Sequence, residues 1–415
     1  MIVQLTQLLS FSLLATCCTF LLQTVLTHCL APADYGRFAK WLTDISFWGL
    51  FFIFGLDNSI LYFSKNKHDL RKNTLRNFLF FALVLSVYFL VLFVSSLTNF
   101  YYVTLGVAIF MLAVFQTLNA TYQYAENFRL YGAFNLLRAV ALLVPFLVIF
   151  FLNIQVNVFY TVSIYTLIST MLVGIMLIFS LRAGGMALSI PPMSKDYFLF
   201  GLKSMANTLL AILLYTSTIY LLDYFADSTA VGIFFIAAAI AKLVWIVPDT
   251  AGNILYPKFL KIGNGCSESE AMETTYFYAQ LVLLINLLAF LAFAIVGKFF
   301  ISLVYSSEYS SIYLPTCILL LGNQGMVFYK ILGRYFASKD KWRIARRSLI
   351  LGVASNSILN PFLIPQFGVT GAAVATAISF WVCGVSIAFA LQGSLVRFLS
   401  FSELIKGLST RCAQR

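Results

Sequence analysis

Long apolar runs, separated by short polar segments, follow one another along almost the whole sequence. Each run is close to the roughly 20 residues that an α-helix needs to cross the hydrocarbon core of a bilayer. The runs occupy residues 5–29, 40–63, 77–98, 101–121, 132–153, 157–181, 197–222, 230–256, 274–296, 311–332, 345–364 and 370–392. We therefore predict an all-α integral membrane protein of about twelve transmembrane helices, with no soluble domain large enough to house separate chemistry.

Composition supports this prediction and excludes several classes of protein. Hydrophobic residues make up 61% of the chain and charged residues 10%, and the mean hydropathy is +0.91. Such a chain suits a bilayer and not water. The first run has no Lys or Arg before it and is longer than a signal-peptide core, which predicts a retained first helix.

Cysteine and histidine are too few and too scattered for a metal centre. The chain has seven Cys, of which only Cys17 and Cys18 are closely spaced, and two His. We expect no metal site, no disulfide framework and no bound cofactor. We also expect no catalytic residues, because outward loops are short and the GxxxxGK[ST] phosphate-binding motif is absent from the sequence.

Basic residues are distributed very unevenly between the two sides of the membrane. If both termini are cytoplasmic, the opposite side receives only Arg37, Lys40 and Lys298, whereas most of the 27 Lys and Arg residues fall in cytoplasmic segments. This positive-inside bias favours an even number of spans with both termini inside. The basic runs at 65–76 and 339–347 are juxtamembrane, so topology and anionic lipid account for the net charge of +12 better than nucleic-acid binding does.

The sequence also suggests two similar halves. A Gly- and Pro-containing segment at 182–196 separates six predicted spans from the next six. We predict an N-terminal six-helix bundle at 1–181, a cytoplasmic connecting loop at 182–196, a C-terminal six-helix bundle at 197–392 and a basic cytoplasmic tail at 393–415. Parallel repeats of this kind are common among secondary transporters.

Short matches at corresponding places support the repeat. The second and eighth spans both end in Ile-Leu-Tyr, at 60–62 and 254–256, and the fifth and eleventh spans both contain Pro-Phe-Leu, at 145–147 and 361–363.

Four basic residues lie inside predicted spans: Arg138, Lys203, Lys242 and Lys330. Each would cost about 2.5–3.5 kcal/mol at mid-membrane if it faced lipid. They are expected to face a watery cavity or an acidic partner. Arg138 and Lys242 are the strongest candidates for a cavity lining, whereas Lys203 and Lys330 are nearer to span ends and have the alternative of snorkelling to the interface.

Two acidic residues occupy matching places in the halves. Asp57 in the second span and Asp249 in the eighth each precede Ile-Leu-Tyr by a few residues. Either carboxylate is a candidate for binding a coupling H⁺ or Na⁺, or for pairing with a lysine such as Lys242. The structural alternative is a helix-end cap or a salt bridge.

Polar and aromatic residues offer weaker candidates for ligand contact. Gln23 and His28 lie in the first span, and Trp245 lies in the eighth. Each has the chemistry to touch a sugar, and each has the alternative of simple solvation or placement at the headgroup level.

Three segments resemble one known family. These are LAPADYGRFA at 30–39, GLDNSI at 55–60 and NPFLIPQFGVTGAAVAT at 360–376. They are similar to the bacterial O-antigen flippases (Wzx) of the multidrug/oligosaccharidyl-lipid/polysaccharide (MOP) superfamily, which also holds the multidrug and toxin extruders and the lipid II flippase. In the last segment, Pro361 and Pro365 are expected to interrupt a helix, and its small residues to allow the next helix to pack closely.

The resemblance implies a fold and a function. It implies two six-helix bundles around a central cavity, as in MATE transporters and MurJ, and alternating access without bond chemistry. The implied substrate is an undecaprenyl-diphosphate-linked O-antigen repeat unit, moved from the cytoplasmic to the periplasmic leaflet of a bacterial inner membrane. The implied partners are membrane lipids, a polysaccharide polymerase and a chain-length regulator.

Such a substrate would suit the cations within the spans, because Arg and Lys neutralise phosphate. Two alternatives remain, a multidrug extruder of the same fold and a membrane polysaccharide polymerase. An extruder of cationic drugs would favour an acidic cavity, and a polymerase usually carries a long outward loop.

Overall fold

A computed structural model describes residues 2–64, 67–95, 99–125, 127–182, 194–260, 268–339 and 341–390. Within these ranges the regular structure is helical throughout, with no strand. The α-helices are α1 (Ile2–Cys29), α2 (Pro32–Ile53), α3 (Leu56–Phe63), α4 (Lys67–Val94), α5 (Phe100–Tyr124), α6 (Phe128–Phe151), α7 (Val158–Arg182), α8 (Lys195–Phe225), α9 (Ser228–Lys242), α10 (Ile246–Leu260), α11 (Glu268–Val304), α12 (Tyr313–Ser338) and α13 (Trp342–Phe389). Short 3₁₀ segments at Leu243–Trp245 and Ser307–Ile312 precede α10 and α12.

Most of the helices are long and apolar enough to cross a membrane. Ten helical stretches of the described chain have the necessary length and hydropathy, and the bent pair α2–α3 makes an eleventh. α13 contains 48 residues, but its backbone is non-helical at Gly368, where two helices meet. The predicted eleventh and twelfth spans are these two parts of α13. The all-helical, multi-span architecture expected from the apolar runs is therefore confirmed.

The predicted second span is broken near its middle. Phe54 and Gly55 both adopt positive φ angles of 51° and 65°, and α2 and α3 meet at an angle of 45°. A Cβ atom at Gly55 would lie 2.2 Å from the carbonyl oxygen of Gly201 in α8. Only glycine combines this backbone conformation with so close an approach. The Ser59 hydroxyl also donates to the Tyr197 carbonyl at 2.9 Å.

The predicted eighth span has a comparable interruption. The 3₁₀ turn Leu243–Trp245 separates α9 from α10. Asp249 lies in the first turn of α10, just as Asp57 lies in the first turn of α3. Helix N-termini favour carboxylates. Both acids singled out by the sequence therefore begin the second segment of an interrupted span.

The junction inside α13 depends on glycine and small residues. Gly368 has φ 54° and ψ −131°, a conformation that is essentially restricted to glycine. A Cβ atom at Gly371 would lie 2.1 Å from the Leu363 carbonyl oxygen. Ala372 and Ala373 are fully buried. The close packing expected for this segment is observed. The predicted interruption at Pro361 and Pro365 is wrong, because both lie inside the helix and the backbone leaves helical geometry at Gly368, where only glycine tolerates the φ angle.

The chain divides into two compact units, Met1–Leu209 and Leu210–Arg415. The division falls inside α8, whose N-terminal part is bonded within the first unit through Ser59 and Tyr197. The predicted connecting loop 182–196 lies mostly outside the described residues, as does the predicted tail 393–415.

Within the second unit, a buried polar network joins α8 to both parts of α13. Asn356 Oδ1 accepts from Thr218 at 3.0 Å and from Asn360 at 2.7 Å. Thr376 is 3.0 Å from Thr218, oxygen to oxygen. Each of these side chains is at most 2% exposed. In hydrocarbon such groups must bond to one another, and the network fixes how these helices pack.

Candidate functional site

Arg138 lines a cavity inside the first unit. The cavity has a volume of about 410 Å³ and lies among α1, α2, α6 and α7. Six alanines and leucines line it together with the polar and aromatic residues Thr16, Thr19, Gln23, Phe38, Asn135, Arg138 and Tyr165. The sequence predicted that Arg138 would face a watery cavity or an acidic partner, and the structure places it in the lining of this cavity.

The groups around Arg138 supply polar atoms with spare bonding capacity. Thr16 and Thr19 donate to carbonyls of their own helix, both at 2.8 Å, so their oxygens remain acceptors. Asn135 donates to the Tyr131 carbonyl at 2.7 Å. Among the described residues, the Gln23 amide has no hydrogen-bond partner. The wall can therefore bind a ligand rich in hydroxyl groups.

Within the described chain, Arg138 has no carboxylate partner. Its guanidinium carbon lies 4.5 Å from the centre of the Phe115 ring, a cation–π contact that leaves the N–H groups available. Five N–H donors in a planar fork match the oxygens of a phosphate or carboxylate. Arg138 therefore has the chemistry to bind an anion in a cavity whose wall combines polar groups with a larger apolar area.

The second unit holds a different cationic site. The Lys330 ammonium on α12 donates to both carboxylate oxygens of Asp249 on α10, at 2.7 and 2.6 Å. It also lies 4.3 Å from the centre of the Trp245 ring. The Lys330 side chain is 14% exposed, whereas Asp249 is 49% exposed. Lys330 is therefore the enclosed partner of the pair and Asp249 the accessible one.

Lys242 lies beside an aromatic cluster that includes Trp245. Its ammonium is 4.7 Å from the centre of the Tyr215 ring, and Tyr215 packs against Trp245 and Phe380 with ring centroids 5.0 and 5.7 Å apart. Lys242 itself is exposed and has no carboxylate partner among the described residues. An exposed ammonium beside aromatic rings can meet both an anion and a sugar face.

Asn323 orients the indole that underlies Lys330. The Trp245 Nε1 donates to Asn323 Oδ1 at 2.8 Å, and Asn323 Nδ2 donates to the Ala241 carbonyl at 2.7 Å. Asn323 is 2% exposed. It therefore ties α12 to the end of α9, where the 3₁₀ turn begins.

One predicted pairing is wrong: Asp249 binds Lys330 and not Lys242. Lys242 and Asp249 are seven residues apart, which places them on a similar face of a continuous α-helix. The 3₁₀ turn Leu243–Trp245 intervenes. Three residues at 3.0 per turn add roughly 60° of rotation relative to α-helix, so the two side chains diverge.

The remaining candidates do not join either site. Lys203 on α8 is exposed, and it does not line the Arg138 cavity. His28 is exposed and packs against Phe150, with ring centroids 5.6 Å apart. Asp57 lies at the α2–α3 break, which matches the helix-end alternative.

Sequence reasoning missed Asn135, Tyr215 and Asn323. All three are uncharged or aromatic, and no signal in the sequence separates them from ordinary packing residues. Helical spacing does relate Asn135 to Arg138, because residues three apart lie on one face.

Comparison with known proteins identifies a distant sequence relative and solved structures with a similar fold. No family model matches the sequence. The chain is 24% identical over 188 residues to a Haloferax volcanii protein named "Probable low-salt glycan biosynthesis flippase Agl15". The match covers 44% of this chain and 39% of the relative. The matched region thus spans about two fifths of the relative's length.

Solved structures match over nearly the full length. The lipid II flippase MurJ in an inward closed conformation has a TM-score of 0.73 at 13% identity, covering 96% of this chain and 91% of MurJ. An inward-facing multidrug resistance MATE transporter of the MOP superfamily has a TM-score of 0.71 at 12% identity, covering 93% of this chain and 96% of that one. At such identities the likeness concerns the fold. The chain is a multi-pass membrane protein with the fold that MurJ shares with the MATE transporters of the MOP superfamily.

Proposed function

We propose that this protein is a flippase for a lipid-linked oligosaccharide whose carrier is a polyprenyl diphosphate. It moves the substrate across the membrane by alternating access, without breaking or making bonds. The observation that carries the proposal is Arg138, a guanidinium without a carboxylate partner in the described chain, in a cavity with several polar groups inside a membrane helix bundle.

A diphosphate-linked sugar needs what this cavity offers. The phosphates must cross the hydrocarbon depth, where an uncompensated charge is very costly. Arg138 can bind a phosphate bidentately, and Gln23, Asn135 and the threonine oxygens can bond to sugar hydroxyls. Tyr165 offers a ring to a sugar face.

The second unit supplies two further cations. Lys242 stands next to an aromatic surface, and Lys330 is held by Asp249. An anionic substrate can replace Asp249 on Lys330 and so release the carboxylate toward water. A released Asp249 is then able to take up H⁺ or Na⁺, which would couple substrate movement to an ion gradient; Asp57 at the matching break is the second candidate for this role. Lys203, which is exposed on α8, would contribute at most weakly to substrate binding.

The finer assignment rests on the sequence resemblance. The segments at 30–39, 55–60 and 360–376 resemble Wzx proteins, and the Agl15 relative is named a glycan biosynthesis flippase. We propose an undecaprenyl-diphosphate-linked repeat unit of the O-antigen type as substrate, with a polymerase and a chain-length regulator as downstream partners. The proposed site is a bacterial inner membrane, with both termini in the cytoplasm and transport toward the periplasmic leaflet.

The direct test replaces Arg138 with Gln and measures transport. In the native host, Arg138→Gln is expected to lower surface glycan by at least about tenfold, since a charge-assisted bond contributes about 1.5–3 kcal/mol. Lipid-linked oligosaccharide should accumulate on the cytoplasmic face. Protein abundance in the membrane is measured by immunoblot in parallel.

Arg129 provides the matched control. It lies on the same helix as Arg138, is exposed and does not line the cavity. Arg129→Gln should leave surface glycan unchanged. If Arg138→Gln behaved like Arg129→Gln at equal abundance, the proposed function would lose its main support.

A multidrug extruder is the second candidate, and one observation favours it. Asp249 is half exposed beside Trp245, and a carboxylate near an aromatic ring suits a cationic drug. Expression in a drug-sensitive host discriminates the two functions. The flippase proposal expects no change in resistance to ethidium or norfloxacin, whereas an extruder would raise it in a manner that depends on Asp249.

A further inference from the structure

A second cavity lies far along the sequence from Arg138, where α11 ends and α12 begins. Its volume is about 570 Å³. Half of its ten lining residues are serines, and Lys298 and Leu314 also line it, while apolar atoms make up most of the exposed wall.

Most of these hydroxyls are available for a ligand. Ser302 donates to the Phe299 carbonyl at 2.9 Å, and Tyr313 donates to the Ala294 carbonyl at 2.7 Å. In contrast, the side-chain hydroxyls of Ser306, Ser307, Ser310 and Ser311 have no hydrogen-bond partner within the described residues. The cavity therefore presents four unused hydroxyl donors on one short segment.

Lys298 gives the cavity its positive charge. Its ammonium lies 5.3 Å from the centre of the Tyr313 ring, and it has no carboxylate partner in the part of the chain that is described. Glu308, on the 3₁₀ turn, is the nearest acid in sequence and is exposed, outside the lining. The predicted topology places Lys298 on the side that has only two other basic residues, one of them Arg37, which pairs with Asp34. Positive charge is normally depleted on that side.

An apolar strip runs beside the cavity. Ile295, Phe299 and Leu303 follow one another at four-residue spacing on α11 and are 82%, 68% and 72% exposed. Leu314 on α12 is 53% exposed and belongs to the cavity wall. The strip offers an acyl chain a surface that leads to a largely apolar cavity carrying one ammonium and several hydroxyl groups.

We propose that this cavity binds the headgroup of an anionic phospholipid, with the phosphodiester on Lys298 and the serine hydroxyls and an acyl chain along the α11 strip. Phosphate oxygens accept from an ammonium and from several hydroxyls at once. A glycerol headgroup can bond to the remaining serines. The site is independent of the proposed transport substrate, because none of its residues belongs to either cationic site described above.

The test measures lipid binding to the purified full-length protein in detergent. Phosphatidylglycerol and phosphatidylcholine are added separately, and native mass spectrometry records the bound fraction. Wild-type protein should bind phosphatidylglycerol in preference to phosphatidylcholine. Lys298→Gln should lower the phosphatidylglycerol affinity about tenfold, the loss expected for one charge-assisted bond.

Two further variants separate the site from general attraction of lipid to positive charge. Arg37→Gln removes another exposed basic residue, on the same predicted side of the membrane and outside the cavity, and should bind phosphatidylglycerol as wild type does. Ser310→Ala with Ser311→Ala keeps the charge and should lower affinity a few-fold. The size-exclusion profile of each variant verifies folding.

Three outcomes would overturn the proposal. These are equal loss in Lys298→Gln and Arg37→Gln, equal binding of phosphatidylcholine and phosphatidylglycerol, and unchanged binding in both cavity variants. A thermal shift with inorganic phosphate that equals the phosphatidylglycerol shift and disappears in Lys298→Gln would replace the lipid with a free phosphate ion.

Discussion

The two units each carry a cation within a membrane span, but they manage its charge differently. In the first unit, Arg138 contacts the Phe115 ring and lines a cavity, with no carboxylate partner among the described residues. In the second, Lys330 is held by both oxygens of Asp249. One cation is open to an external anion, whereas the other already has an internal one.

This difference gives the two sites different roles: Arg138 can bind an added anion, whereas Lys330 can only exchange Asp249 for one. An unpaired guanidinium in a restricted space gains its full interaction when an anion arrives. A paired ammonium gains only the difference between the new anion and the old one, and the displaced carboxylate must then find water or a cation. We therefore interpret the Arg138 cavity as the stronger anion site and the Lys330–Asp249 pair as the exchangeable one.

The largest effect is expected when the first site is made to resemble the second. Gln23→Glu places a carboxylate in the Arg138 cavity, where it should pair with the guanidinium and repel a diphosphate. Affinity for undecaprenyl diphosphate, measured by calorimetry on purified protein, should fall by about tenfold or more, since one charge-assisted bond is lost and a repulsion is added. Gln23→Leu is the control and should cost much less. Equal losses for the two variants would show that the charge of Arg138 does not select the ligand.

The converse change frees the second site. Asp249→Asn removes the internal anion from Lys330. The affinity for undecaprenyl diphosphate should then rise by roughly three- to tenfold, which corresponds to the free energy of about 1 kcal/mol that a partly exposed ion pair contributes. Transport in the native host should nevertheless fall, because the more tightly bound substrate is released more slowly. Asp57→Asn, at the matching break, should leave affinity unchanged. A loss of affinity in Asp249→Asn would contradict the exchange interpretation.

Lys242 and Lys203 test whether ligand affinity depends on where a positive charge lies or only on the total positive charge. Lys242→Gln removes an exposed ammonium beside Tyr215 and should lower the same affinity about three- to fivefold, within the range of exposed charge interactions. Lys203→Gln removes an exposed ammonium that lies in neither site and should change it by less than that. Similar losses of affinity in both variants would indicate non-specific electrostatic attraction to the protein's positive charge instead of a defined binding site.

The smallest effect is expected at Asn323. Asn323→Leu removes the bond that orients the Trp245 indole and should shift affinity by no more than about two- to threefold, because Trp245 acts on the ligand through Lys330. The main consequence should be a lower melting temperature, since a buried hydrogen bond contributes about 1 kcal/mol. Intrinsic tryptophan fluorescence and thermal unfolding measure the two effects. An affinity loss as large as that of Gln23→Glu would place Trp245 in direct contact with the ligand.

The sequence alone determined the helices and the residues that cannot face lipid. Span length and polarity are local properties, set by the cost of exposing backbone and charge to hydrocarbon. The apolar runs therefore predicted the spans but not the breaks inside the second and eighth, and Arg138, Lys203, Lys242 and Lys330 stood out because a charge facing lipid is costly. The motif around Gly368 and Gly371 likewise indicated a close helix junction.

Tertiary structure decided which residues meet. Asp249 lies 81 residues from Lys330 in sequence, and helical periodicity relates only residues on the same uninterrupted helix. A three-residue 3₁₀ turn was enough to redirect Asp249 from Lys242 to Lys330. The Arg138 cavity likewise joins side chains from α1, α2, α6 and α7, and only the packing of those helices leaves space around the guanidinium instead of filling it.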